Sequence, residues 1–346
     1  MSAMAEGPAR IRRGLRLNSE QWWMTSLAVL LAAELLYFSL GVQGFWGGGT
    51  GMLNQTEYFL DIGIMAIGVG FVIFAGDIDL SCGAMASFVG IVMAELWKQG
   101  VEIWVAALIA VLIAALIGLI HGLIITLFRL ESLLVTLASQ FILGSLATAI
   151  GGGYPPYGFP HAFTSIAGTG SVGPIPAQII IFAVIGWFSV LLVHRTAFGR
   201  SLVLLGHNRD AARYTGVNVS WTRVRAFVLS GLFAGIAGIV IAATYNSVRD
   251  DLGDSLLLPA ITAVVLGGVD IFGGRGHMAG VLFATFVLGF LYQGLLIEGI
   301  SQLTANMVGG GVLVVALALK IGLERRGGGL SFAHRLRARF SPGGVP

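Results

Sequence analysis

Charge is scarce in this sequence. Only 11% of its 346 residues are Asp, Glu, Lys or Arg, against roughly 25% in soluble domains. With 56% of residues hydrophobic, the chain cannot clothe a water-facing surface, which excludes an ordinary soluble enzyme. Cysteine is almost absent: Cys82 stands alone, so no internal disulfide can form. No Gly-x-x-x-x-Gly-Lys-Ser/Thr loop occurs, so the chain lacks that phosphate cradle and is expected to hydrolyse no nucleotide itself. His121 has no second His or Cys at ligand spacing, which argues for a packed, hydrogen-bonded histidine and no bound metal.

What is present in abundance is hydrocarbon in lengths that cross a bilayer, about 20 residues each. Ten spans are expected, over 24–43, 59–76, 82–98, 102–127, 132–150, 178–195, 224–246, 254–270, 278–297 and 302–322. The fold class is therefore an all-α polytopic membrane protein with some short or broken helices. Net charge is only +3, from 20 basic and 17 acidic residues, but the basic residues cluster at Arg10 to Arg16, Arg195 to Arg225 and Lys320 to Arg339. The positive-inside rule makes those three regions cytoplasmic, and both termini with them. The division expected is a cytoplasmic tail 1–21, a membrane domain 22–322 and a cytoplasmic tail 323–346. Loop 151–176, with glycine, proline and aromatics but no charge, falls on the periplasmic side. Basic residues confined to membrane flanks make no nucleic-acid surface. The first apolar segment reads as a retained span and not as a cleaved signal.

One polar stretch interrupts the hydrocarbon, "GHNRDAARYTGVNVSW" at 206–221. Asn208 is a favoured N-cap, Asp210 falls in the first turn, Arg213 in the last, and Gly216 can supply the left-handed residue past the end. A helix of about two turns is marginal alone in water. By itself the stretch is either a solvated connection between spans or a docking element held by a second protein.

Residues 198–238 resemble the cytoplasmic loop of permeases in bacterial ABC importers of the ribose, xylose and autoinducer-2 type. The resemblance is carried by Phe198, Gly199, Arg200, Gly206, Asn208, Ala211, Ala212, Arg213 and Gly216. "GDIDLSCG" at 76–83 and "VLGGVDIFGGRG" at 265–276 resemble two further motifs of that family. Asp77 and Asp270 depart from it, standing where glycine and a small polar residue are usual. The resemblance implies that loop 196–223 is a coupling element, with Arg209 and Asp210 among its residues, seated on a separate ATP-binding subunit that holds ATP and Mg. It also implies a periplasmic solute-binding protein, a second permease chain and the bilayer of the inner membrane as partners. The solute implied is small and polyhydroxylated, a monosaccharide first of all.

Carboxylates inside spans face protein or water, because a lipid-facing Asp costs a few kcal/mol. Asp77, Asp79, Ser81, Asp270 and Phe272 are thus candidates for the substrate pathway, since carboxylates and hydroxyls bond to sugar hydroxyls. A second reading makes Asp79 the cap of the helix beginning at "LSCGAM". Glu34 is expected to pair with a neighbouring helix or to meet water. Gly118 and Gly122, and the run Gly309 to Gly311, are read as close-packing positions. "GDIDLSCG" and "GGVDIFGG" align at an offset of 191 residues (267 − 76), either as an internal repeat or as coincidence between glycine-rich segments. Two other function classes compete: an ion- or proton-coupled transporter working alone through Asp77, Asp79 and Asp270, and an intramembrane enzyme with paired aspartates. The enzyme lacks a recognisable catalytic constellation, and a transporter working alone leaves the capped segment without a task.

Overall fold

The structure, a computed structural model, describes residues 19–42, 45, 51–152, 156–315 and 318. The tails 1–18 and 319–346 lie outside them, and with them most of the two expected cytoplasmic tails. The helices are α1 (Ser19–Gly41), α2 (Gly51–Gln55), α3 (Leu60–Phe74), α4 (Cys82–Lys98), α5 (Ile103–Leu127), α6 (Ser132–Gly151), α7 (His161–Phe163), α8 (Ala177–Arg195), α9 (Ala197–His207), α10 (Arg209–Tyr214), α11 (Val219–Tyr245), α12 (Asp254–Leu266), α13 (Met278–Ile297) and α14 (Gln302–Val315). The expected loop 151–176 carries structure of its own: α7, a π turn and a hairpin of β1 (Ser171–Val172) and β2 (Ile175–Pro176).

Among the described residues, six helices are long and apolar enough to cross a membrane: α1, α5, α6, α8, α11 and α13. The other four expected spans are the shorter helices α3, α4, α12 and α14. They are short for a physical reason. The backbone breaks at Gly76, whose φ is +74°, and an extended segment follows before α4 begins beside Ser230, close to the middle of α11. Residues 246–253 do the same from the opposite end, so that α12 begins against α4: a Cβ on Gly83 would stand 2.8 Å from the Gly253 oxygen. Non-helical backbone at such depth is tolerated only where protein or a water-filled cavity surrounds it.

These two broken segments define an inverted relationship. α3 ends where α11 begins, with Asp77 bonded to Arg223, and Gly68 packs on Ser230 and Phe233, so α3 and α11 run antiparallel. α3, a break and α4 thus mirror α11, a break and α12. The sequence echo at an offset of 191 is a different matter. Its two glycine loops do meet, with a Cβ on Gly76 3.0 Å from the Phe272 oxygen, but α4 starts inside the first motif, at Cys82, while α13 starts only at Met278, past the end of the second. The echo does not mark the repeat.

α5 is apolar on every face apart from His121 and Thr126, as expected of a helix whose surroundings are lipid or core on every side, and Glu102 caps it by accepting from the N–H groups of Trp104 and Val105. It lies antiparallel along α11 on a seam of small residues. Cβ atoms on Gly122 and Gly235 would meet Val224 Cα at 2.7 Å and Ala114 Cβ at 2.8 Å, while Gly118 and Gly231 abut the carbonyls of Phe227 and Ala114. Small residues let helix backbones approach closely in membranes, where dispersion contacts replace the hydrophobic drive. Gly309 packs likewise on Tyr292, whereas Gly310 and Gly311 touch nothing within 4 Å. His121 Nε2 bonds Ser139 Oγ at 2.6 Å, tying α5 to α6. Gly231→Leu should lower the thermal stability of the purified chain by at least about 1–3 kcal/mol, the usual cost of overpacking. Gly144→Leu, with open space around it, should leave the melting temperature near that of the parent.

Candidate functional site

The 206–221 stretch folds as a helical corner. α9 ends at His207 and α10 follows at once, capped by Asn208, whose Oδ1 accepts the N–H groups of Asp210 (2.9 Å) and Ala211 (3.0 Å). Gly216 adopts φ +82°, and the N–H of Val217 donates to Ala212 O at 3.2 Å. The cap and stop expected from the sequence are therefore both present. Ala212 is buried, small enough to seat α10 on the bundle, while Asp210, Ala211, Arg213 and Gly216 are exposed and Tyr214 is 92% exposed. Gly199 is buried against the Val193 carbonyl and Arg200 is exposed.

Gly206 is where this corner meets the rest of the molecule. A Cβ there would collide with the Phe74 carbonyl and the Gly274 N–H, and would lie 2.9 Å from Gly273 C. Three segments converge on that point: the end of α3, the end of α9 and the loop between α12 and α13. In that loop Asp270 Oδ1 accepts the Phe272 N–H at 3.0 Å, and the Gly274 N–H donates to Phe74 O at 3.0 Å. Asp270 closes a turn here, and Phe272 is 84% exposed beside it.

Asp77 is 2% exposed and gathers three arginine donors. Arg223, in the first turns of α11, donates from Nε to Oδ2 at 2.8 Å and from Nη2 to Oδ1 at 2.7 Å. Arg209 of α10 donates from Nη2 to the same Oδ1 at 2.9 Å and to Gly76 O at 3.1 Å. A two-toothed Arg–carboxylate pair fixes geometry as well as charge. Asp79 is bound otherwise: Oδ1 accepts Ser81 N (2.9 Å) and Ser81 Oγ (2.6 Å), and Oδ2 accepts Ser230 Oγ (2.7 Å). Asp79 thus satisfies a backbone donor just ahead of α4 and latches it to α11. The Leu80 N–H donates to Thr136 Oγ1 at 3.2 Å and the Ile78 N–H to Ser132 Oγ at 3.3 Å, so side chains of α6 supply the acceptors that the broken backbone needs.

The structure brings Asp77, Gly206, Arg209, Asp270 and Phe272 to one end of the bundle, where the basic 195–225 segment lies. Asp79 and Ser81 sit deeper. Sequence reasoning missed Arg223, which the expected span 224–246 left in the basic flank although α11 begins at Val219, and it missed Ser230, for which there was no signal. Asn218 caps α11 by accepting the Trp221 N–H on Oδ1 at 3.0 Å. Glu34 lies half-buried on α1, with Oε1 enclosed and without a hydrogen-bond partner among the described residues, so the pairing expected of that oxygen is not formed.

At the opposite end lies a cavity of about 410 Å³ between the start of α3, the end of α11, the start of α12, the outer half of α13 and α14. It is lined by tyrosines 58, 245 and 292, the carboxylate of Asp61 and the amides of Gln293 and Asn306. Asn246, left-handed at the end of α11, holds the neighbouring loop by accepting the Phe159 N–H at 2.8 Å.

Residues 51–317 match the family model described as branched-chain amino acid transport system / permease component. The autoinducer 2 import system permease protein LsrD of Klebsiella pneumoniae is 35% identical over 88% of this chain and 91% of its own length. The LsrD proteins of Enterobacter sp. and Photorhabdus temperata are each 34% identical, over 85% and 88% of this chain and 91% and 92% of theirs. Among solved structures, PsaBC from Streptococcus pneumoniae in complex with Fab superposes on 85% of this chain and 95% of its own, with a TM-score of 0.43 and 17% identity. With apolar helices of spanning length and relatives of this kind, the chain is a multi-pass protein of the bacterial inner membrane, and it belongs to the permease components of ABC importers for sugar-like solutes.

Proposed function

We propose that the chain carries a small polyhydroxylated solute, of the class formed by autoinducer 2 and the monosaccharides, received from a periplasmic binding protein. A separate ATP-binding subunit, holding ATP and Mg, docks on the α9–α10 corner, and a second permease chain completes the passage. The positive-inside rule places the end with Arg195, Arg200, Arg209, Arg213 and Arg225 in the cytoplasm. The observation that carries this reading is the capped helix α10, exposed on one side and tied on the other to buried Asp77.

The tie suggests how docking becomes motion. Arg209 rides on α10, Arg223 on α11, and both grip one carboxylate at the break between α3 and α4. A displacement of α10 by a closing ATPase therefore pulls on α3, α11 and the lead-in to α4 together. Asp79 latches that lead-in to Ser230, so the pull reaches the middle of the bundle. Asp77 and Asp79 are consumed by these bonds, which removes the carboxylates that a transporter working alone would need.

Asn208→Ala should cost α10 about 1 kcal/mol. Gly216→Val, forcing a β-branched residue to positive φ, should cost about 1–2 kcal/mol. Both should lower uptake and ATPase stimulation while membrane insertion persists. Wild-type coupling in both variants, or failure of any ABC ATP-binding subunit to copurify with the parent chain, would refute the docking role. Asp77→Asn leaves Arg223 buried without a counter-charge and should destabilise the complex by about 3–5 kcal/mol. Asp77→Asn with Arg223→Gln should recover much of the stability but not the coupling of ATPase to uptake, measured on reconstituted complexes. Sidedness is checked by labelling intact cells on a Cys82→Ser background: an impermeant thiol reagent should reach Ser165→Cys and spare Ser201→Cys.

A further inference from the structure

The cavity at the outer end has the chemistry of a binding site, and none of the sequence motifs pointed to it. Its volume of about 410 Å³ falls within the roughly 300–1,000 Å³ usual for small-molecule clefts. Asp61 is the group to explain. It is 5% exposed, stands in the first turn of α3, and gives Oδ1 to the Ile62 N–H at 2.8 Å. It belongs to none of the ion pairs among the described residues. A buried carboxylate without a counter-charge is costly unless hydrogen-bond donors surround it, and a ligand rich in hydroxyls brings such donors.

The rest of the lining fits the same kind of ligand. Tyr58, Tyr245 and Tyr292 offer ring faces for the C–H side of a sugar and phenol groups for its hydroxyls. Gln293 and Asn306 offer amides that both donate and accept. Pro259, inside α12 and on the cavity lining, has no N–H to give the carbonyl of Ser255, which lines the cavity with it. The charges at the mouth cancel, because Arg249 is paired with Asp251 at 2.9 and 2.6 Å. A metal cation is a poorer match: no group of three or more His, Cys, Asp or Glu among the described residues could hold one.

We propose that this cavity is a solute-binding site of the permease itself, in which Asp61 accepts hydrogen bonds from hydroxyls of a neutral polyol while the tyrosine rings hold its apolar face. The proposal rests on the reading of the chain as a permease for polyhydroxylated solutes. It adds that selectivity is exercised a second time, after the binding protein has released its cargo.

The test uses the complete importer in cells and in proteoliposomes, with labelled ribose, xylose and autoinducer 2 as probes. Asp61→Asn keeps an acceptor for the Ile62 N–H, and Gln293→Trp fills the cavity without touching Asp61's bond. Each should lower uptake of the transported probe about tenfold, the equivalent of one lost charge-assisted hydrogen bond, while ATPase activity stimulated by the empty binding protein stays at the parent level. Parent-level uptake in both variants would overturn the cavity site and leave the permease reading standing. Loss of uptake together with loss of ATPase stimulation would show damage to assembly and overturn the site as well. If the parent importer carries none of the three probes, the solute class itself falls, and the proposal falls with it.

Discussion

The carboxylate of Asp77 ties three helices of this molecule together. It is buried at a point where α3 stops, α11 starts and the short helix α10 comes in from the side. Removing an ion from water into such a place is costly, and the cost is offset only when geometry and hydrogen bonds are complete. Three arginine hydrogen bonds complete them here. Arg223 is nearly enclosed, whereas the Arg209 side chain is 40% exposed, so the two contacts differ in kind. The first is a fixed pin between spans. The second joins that pin to a surface helix and can yield when the helix moves.

Breaking helices inside a membrane domain creates polar backbone that lipid cannot satisfy. Each break here is met by specific partners. Thr136 and Ser132 accept from the segment before α4, Asp79 accepts just ahead of that helix, and Ser87 accepts the Gly253 N–H before α12 at 2.8 Å. The two half-length helices start from one another, with Gly83 and Gly253 in contact. The cavity lined by Asp61 opens beside the second break and the α9–α10 corner closes on the first. Glycine at the contact and hydroxyls around it are what make the interruption affordable in both places.

Much of the architecture was legible because its physics is local. Apolar runs located the six helices of spanning length among the described residues, since hydrocarbon contact is a property of composition. Asn208 and Gly216 announced α10, since a cap and a positive-φ stop act within a few residues. The candidate pathway residues fared differently: the structure puts Asp77 in an arginine clasp, Asp270 in a turn and Asp79 at the approach to a helix. The arginines around Asp77 and the Ser230 that holds Asp79 come from helices more than a hundred residues away, and nothing near either carboxylate in the chain names them.

The sequence by itself determined the class of the molecule, its six helices of spanning length among the described residues, its basic end and its short capped helix, because each depends on residues close together or on the solvent they face. Only the tertiary structure decided that α3 and α12 stop short, that Asp77 serves two arginines, and that Asp61 faces a cavity with three tyrosines. Those are consequences of which helix lies against which. Close approach across glycines at 118, 122, 231 and 235 sets that arrangement, and although their four-residue spacing marks a packing face, nothing near them in the chain names the helix that packs there.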